Sequence, residues 1–493
     1  MKIRYSLLFC LLALSLPAAA QEPNPFVKKG EEAKAVTPPG DSYVAVLEYI
    51  LAPPDLVGDW IRKNNIVSDA DGLRAVVQQW IGEGKATLEH TIVCSGVADR
   101  TSEFASIVEL IYPTEYEPPG DGVWPMPTSF ETRNTGLSTE LAPATYPQNG
   151  PQLSLWVDDV TYTGSRAWDI LSSRTRQPDD IFMPEFRSIR ASWGADHDLI
   201  LNPFPNSQRN IVATPAAQAP NALPSGKYQL IARADPLEKE REAGAQTRLV
   251  FLRGAFVART KPAAEIVMPR HLSYELVEVP HAAFSEWQRA KKPGDIPSGA
   301  WELVEGMRRA GETAVISSGD SFGKGASKWI LENIREEIYP TEYEPMDERK
   351  VLRRWQSPHK QQENGKLVEG LGTFELLKVE SKPGLAGAGL ATSFETRNTG
   401  TTIEFKPAQD ESGLLAELEC RHVVRLGDTV SRRIEDGGQW IPDCTMPLFG
   451  SSHFNTTARM TAGAWTLIGT GSRFTGLGKS DPGRCLLLFI KVE

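Results

Sequence analysis

The stretch Ser317-Ser-Gly-Asp-Ser-Phe-Gly-Lys-Gly325 comes nearest to a reactive site in this chain, because its Gly-Asp-Ser string can present a serine hydroxyl. A serine nucleophile needs a base within hydrogen-bond reach and donors aimed at the developing oxyanion. The stretch itself supplies neither, and Gly323-Lys-Gly325 lacks the spacing of a phosphate loop. The seven histidines, His90, His197, His271, His281, His359, His422 and His453, are scattered with no metal-ligand spacing, and they read as surface or loop residues. The acidic pairs Asp158-Asp159 and Glu336-Glu337 read as solvated faces. Cys94, Cys420, Cys444 and Cys485 show no C-x-x-C spacing and no nearby histidine pattern, which argues against zinc. No residue is assigned a catalytic, cofactor-binding or metal-ligating role, and no cofactor is expected.

What positions these residues begins with an export signal. Lys2 and Arg4 form a basic start, Leu7 to Leu16 is an apolar run too short to span a bilayer, and Pro17-Ala-Ala-Ala20 offers a cleavage site. Cleavage after Ala20 is expected, leaving about 470 residues, enough for two or three domains of ordinary size. No later apolar run is long enough for a membrane helix, although alternating strands of a membrane β-barrel leave a weaker trace. The net charge of −10 and the lack of a long cationic cluster argue against nucleic acid or anionic lipid headgroups as partners.

Two strings occur twice. Ile111-Tyr-Pro-Thr-Glu-Tyr-Glu-Pro118 recurs unchanged as Ile338–Pro345, and Thr128-Ser-Phe-Glu-Thr-Arg-Asn-Thr-Gly136 recurs as Thr392–Gly400. Between and beyond them Trp60 pairs with Trp287, Val160 and Gly164 with Val423 and Gly427, Met183-Pro184 with Met446-Pro447, and Leu249–Leu252 with Leu486–Phe489. The period is far too long for a solenoid, so the sequence reads as a tandem duplication. The expected organisation is a signal peptide (1–20), a flexible Pro/Lys/Glu/Gly-rich leader (21–41), a first copy (42–260), a short connector (260–268) and a second copy (269–493). The second copy carries an insertion at about 346–390, with short strands around Phe374–Val379. Aligning the copies sets Val93 and Cys94 against Asp320 and Ser321, so the hydrolase-like pair has no counterpart. Cys420 and Cys444 align with Val157 and Ile181; they face a core, either as small hydrophobes or as a bridge between neighbouring strands.

Each copy predicts a strand-rich α+β unit with one or two packed helices against a mixed sheet. Ser68 is a candidate cap for a helix carrying Leu73, Val76, Val77, Trp80 and Ile81 before Gly82 and Gly84, and Ser298 for one carrying Trp301, Leu303, Val304 and Met307 before Gly311. Short β-type runs follow at 86–93, 106–111, 137–141, 153–161, 229–232 and 248–257, and Thr401–Phe405 alternates with period two. Pro113 is expected to end its strand, with Thr114–Pro118 as a semi-rigid exit; a subunit contact is the alternative use of the string.

The order of these blocks resembles the core domain of secretins, the outer-membrane channels of type II and III secretion and type IV pilus systems. TSFETRNTG followed by Gly400-Thr-Thr-Ile-Glu-Phe-Lys-Pro407 is similar to a family segment that precedes a G-V-x-L-x-V-x-P strand, and Gly136–Pro143 is a looser version. Met183-Pro-Glu-Phe186 and Met446-Pro-Leu-Phe449 sit where the family enters its next strand, and Leu249–Leu252 and Leu486–Phe489 resemble its last. The usual V-P-x-L-G-D-I-P loop is absent from Arg233–Thr247 and Gly469–Arg484, and the preceding small periplasmic domains are absent too. On this resemblance 317–325 is a strand-to-strand turn. The resemblance implies two degenerate tandem cores in a non-enzymatic, exported structural or accessory protein, periplasmic or outer-membrane associated, in a secretion or pilus-type assembly. Expected partners are other copies of itself or other assembly proteins, with outer-membrane contact. A soluble periplasmic binding module is the alternative, and an exported hydrolase the third reading.

Overall fold

The computed structural model describes residues 42–64, 70–98, 100–117, 126–146, 150–168, 181–193, 226–236, 244–257, 268–323, 326–345, 352–356, 360–363, 366–369, 373–377, 389–411, 413–436, 439–476 and 479–493. The expected signal and leader, the Ser68 cap, His197, His359, nearly all of the connector and much of the insertion lie outside them.

In chain order the first half contains β1 (Ser42–Ala52), α1 (Pro54–Lys63), α2 (Ala70–Gly82), β2 (Thr87–Val97), β3 (Ser102–Glu117), β4 (Met126–Tyr146), β5 (Gly150–Trp168), β6 (Ile181–Trp193), β7 (Tyr228–Ala234) and β8 (Thr247–Val257). The second contains β9 (His271–Pro280), α3 (His281–Arg289), α4 (Ile296–Arg309), β10 (Ala314–Phe322), β11 (Trp329–Pro345), β16 (Gly389–Asp410), β17 (Gly413–Asp436), β18 (Gln439–Met460), β19 (Thr466–Gly476) and β20 (Lys479–Val492). Between β11 and β16 the insertion holds β12 (Leu352–Gln356), β13 (Lys360–Glu363), β14 (Lys366–Glu369) and β15 (Thr373–Leu377), pairing as β12 with β15 and β13 with β14. The fold is strand-rich α+β, as the sequence predicts, but its two large sheets are antiparallel throughout and not mixed, because neighbouring strands are joined mainly as hairpins.

One sheet runs β10-β9-β20-β19-β2-β1-β8-β7 and the other β11-β16-β17-β18-β3-β4-β5-β6. Both halves therefore enter both sheets, each as a block of four strands. At β1 the first sheet is buried on both faces, which explains why that strand reads as a nearly continuous apolar run. Tyr43, Ala45, Leu47 and Tyr49 meet the second sheet through Leu137, Leu141, Leu155 and Phe454. Val44 and Val46 point the other way, against Phe284, Ile296 and Val304 of α3 and α4, while Ile50 and Ala52 meet Leu73, Val77 and Trp80 of α2. Each Val, Leu, Ile or Phe side chain among them contributes about 1.5–3 kcal/mol on leaving water.

Helix α4 begins at Ile296 behind Asp295, so Ser298 lies in its first turn and does not cap it. Both longer helices end where glycine is needed: Gly84 and Gly311 stand at φ of 71° and 75°. Among the described residues no helix is long and apolar enough to cross a membrane.

The second sheet divides at Gly136 and Gly400. Strand β4 pairs with β3 from Met126 to Leu141, but with β5 only from Gly136 onward; β16 pairs with β11 from Gly389 to Phe405, but with β17 only from Gly400. The two glycines stand at φ of 105° and 113°, where a Cβ would collide with the backbone at Ser106 and Asn333. Below them the eight strands make one layer. Above them the β3/β4 and β11/β16 hairpins separate from the β5/β6 and β17/β18 hairpins. Side chains fill the space between, notably Ile111, Met126, Tyr343, Cys444 and Met446.

The repeated strings are partners. Ile111, Tyr112 and Pro113 face Thr132, Glu131 and Phe130, and Ile338, Tyr339 and Pro340 face Thr396, Glu395 and Phe394. A register shift follows each proline, bringing Glu115 against Ser129 and Glu342 against Ser393. This corrects the expectation that Pro113 ends its strand: β3 continues to Glu117 and β11 to Pro345. Proline is tolerated there because β3 pairs with β18 only from Glu103 to Glu109, leaving the side that lacks an N–H unpaired beyond it.

Candidate functional site

Among the described residues, those with chemical potential do not converge on a reaction centre. Ser317–Phe322 lies in β10, so the expected turn there is a strand. Asp320 accepts from Ser273 Oγ at 2.6 Å and meets His271 Nε2 at 2.9 Å, and these hydrogen bonds hold its carboxyl below the usual range. His271 stacks on Phe322 at 4.5 Å and also approaches Glu493. The cluster ties β9, β10 and the chain end together on an exposed edge. Cys94, Cys420, Cys444 and Cys485 are buried and in no disulfide, and burial raises the Cys420 thiol; Cys420 stands across from Phe454 and Cys444 across from Arg432 in the strand register, so the two are not bridged.

Two surface readings are overturned. His90, His281 and His422 are buried, with His90 Nδ1 at 2.5 Å from Ser472 Oγ, His281 Nε2 at 2.8 Å from Thr91 Oγ1 and His422 Nδ1 at 2.8 Å from Thr401 Oγ1. Burial holds His90 down to about 3 and His422 to about 4, so both are neutral at physiological pH. Asp159 is buried too; Arg248 joins it to Glu89, linking the two sheets, and burial pushes its carboxyl up to about 6 against the pull of Arg248.

The most constructed polar site joins the halves. Glu48 of β1 is fully buried; it accepts from Arg74 Nε at 2.6 Å, from Gln288 Nε2 at 2.8 Å and from Ser285 Oγ at 3.3 Å. Arg253 reaches the Gln288 carbonyl and side chain at 2.6 Å. Burial opposes ionisation of Glu48, yet Arg74, Arg253 and Arg289 outweigh it and hold the carboxyl below its ordinary value. Nearby, Thr470 Oγ1 accepts from Val93 N and donates to the Thr91 carbonyl, and Ser102 Oγ links Tyr43 OH to Thr456 Oγ1. Strand β18 lies beside β3 from Phe449↔Glu109 to Asn455↔Glu103, with Phe104 edge-on to Phe454.

The face that this junction covers in the first half is bare in the second. Strand β2 is buried almost end to end, whereas β10 is mostly exposed. Val315, Ile316 and Phe322 on β10 and Ile330, Ile334 and Ile338 on β11 are exposed, Phe322 to 78% and Ile338 to 72%. Sequence reasoning missed this face; its signal was the apolar residues that β10 and β11 carry without polar alternation strong enough for solvent. It is the candidate functional surface, an edge made of backbone hydrogen-bonding groups and apolar side chains. No family model, curated protein or solved structure matches this chain.

Proposed function

We propose that the chain is a non-enzymatic, exported structural component built from two secretin-like cores, working in a secretion or pilus-type assembly at the outer membrane. The observation that carries this reading is the division of one strand layer into two at Gly136 and Gly400, each governed by the same pair of repeated strings. A layer that splits in this way makes two walls from one set of strands, a scaffold suited to lining and bracing a wide structure. Three of the buried polar contacts support the same reading, because His90 with Ser472 and Ser102 with Thr456 join first-half strands to second-half strands, and Gln288 ties its helix to Glu48 of β1.

Fractionation of cells producing the full chain tests the proposal. Recovery with the outer membrane, as large species that resist an unheated denaturing gel, is the expected result. Recovery as a soluble periplasmic monomer would overturn it and favour a binding module.

A further inference from the structure

We infer that the outer face of the second sheet binds a short neutral oligosaccharide, with a sugar ring stacked on Trp156 in a trough at the fork between β4 and β5. Such a site adds a binding activity to the structural role proposed above and does not depend on it.

The strand register builds the trough. Side chains that alternate with the buried set of this sheet stand in rows on its outer face. One row runs His453, Ala105, Ser138, Asp158, Arg190 across five strands, and beside it runs Glu103, Glu140, Trp156. Ala105 and Ser138 are small, so the middle of the first row is low. Trp156 is half-buried beside it, while Glu103, Glu140 and Arg190 are exposed. At Gly136 the β3/β4 hairpin leaves the common layer, and it brings Thr132, Arg133 and Asn134 to the wall of the same cleft. The cleft holds about 850 Å³, within the range of roughly 300–1,000 Å³ found for small-ligand sites.

The lining chemistry selects the ligand. A pyranose has a flat apolar C–H face and a rim of hydroxyls that both donate and accept. Trp156 supplies the apolar plane. The Glu140 and Asp158 carboxylates supply paired acceptors, Arg133 supplies donors, and Asn134 supplies both. Acids and bases balance along the trough, and Arg190 Nε already holds Asp158 at 3.1 Å, so neither a polyanion nor a cation is favoured. A peptide strand finds no edge, since β3, β4 and β5 are each paired on both sides at this height. The other copy differs at this very place: the sequence repeat sets Glu332 and Thr402 against Ala105 and Ser138, and Glu419 against Trp156. Glu419 is bound by Arg421 at 2.6 Å and by His453 at 3.3 Å. Larger side chains thus occupy the floor there, and an ion-pair network stands where the first copy has an aromatic plane. The trough therefore belongs to the first copy's own residues and not to the scaffold that the two share.

Calorimetric titration of the purified full chain with chitotetraose, cellotetraose, maltotetraose and mannotetraose provides the test. At least one of these sugars is expected to bind at millimolar concentration or below. Trp156→Ala should weaken that binding by about tenfold or more while leaving the circular dichroism spectrum unchanged. Glu140→Ala, a change at an exposed position, should weaken the same sugar and gives the answer if Trp156→Ala does not fold. Glu404→Ala, its counterpart in the second copy, should leave the affinity as it was. No binding by any of these sugars would overturn the inference, as would unchanged affinity in the folded Trp156→Ala and Glu140→Ala chains. Equal weakening by Glu404→Ala would also overturn it, and so would tighter binding of tripolyphosphate than of any sugar. Because the titration is made on purified chain, it reads this site whether or not the chain fractionates with the outer membrane.

Discussion

Glu48 shows how much one carboxylate can be asked to hold. It is buried among groups from both halves, and its loss strands the Arg74 guanidinium, itself 2% exposed, without a counter-charge. Breaking a buried pair from one side costs about 3–5 kcal/mol. Glu48→Ala should lower the unfolding free energy of the whole chain by that amount, read from a urea titration followed by tryptophan fluorescence. The buried histidines set the acid limit. In the unfolded chain His90 and His422 take up a proton near pH 6.5; in the fold burial refuses it until about 3 and about 4 respectively. Their contribution is complete above pH 6.5 and is lost as pH falls below it, by about 1.4 kcal/mol per pH unit for each. Denaturation midpoints compared between pH 7.5 and 5 measure the slope, and His422→Gln should make it shallower. His90, His281 and Asp159 were illegible in the sequence because their partners, Ser472, Thr91 and Arg248, are remote along the chain. A polar residue inside an alternating strand looks wet until the strand facing it is known.

At the scale of elements, the division of the second sheet depends on two glycines. At φ of 105° and 113° any side chain is strained, costing about 1–3 kcal/mol for the backbone alone, and the clash with Ser106 or Asn333 adds to it. Gly136→Ala and Gly400→Ala should each destabilise the chain by more than that range's lower end, measured by thermal unfolding, whereas Gly82→Ala, with open space around its Cβ, should be neutral or mildly stabilising. The identity of the two TSFETRNTG strings pointed to this place, and the helices over 73–81 and 301–307 were readable from their period. The prolines were misread because the rule that proline ends a strand holds where both sides are paired. Pro113 sits where the β18 side of its strand is open, and Pro340 just before the one place where β11 meets β4, Glu342 against Ser129, facts that belong to tertiary structure.

For the whole molecule, the interleaved blocks make the halves interdependent. Residues 42–257 alone would bare β2 and β3, exposing Phe104 and Ile92, which the second half covers. That fragment should self-associate when produced by itself and should become a defined complex on co-expression with residues 268–493, as light scattering would show. The strand-rich class was legible from short alternating runs, but the interleaving was not, since a duplicated sequence states that two units exist and nothing about which edges meet.

The polar seam at Glu48, Gln288 and Arg253 has a hereditary consequence. Because the junction within the chain is written in hydrogen bonds and the exposed β10/β11 edge in apolar surface, the two can mutate on separate schedules. A lineage could change Ile334 or Phe322 without endangering the fold that every newly made chain must first achieve.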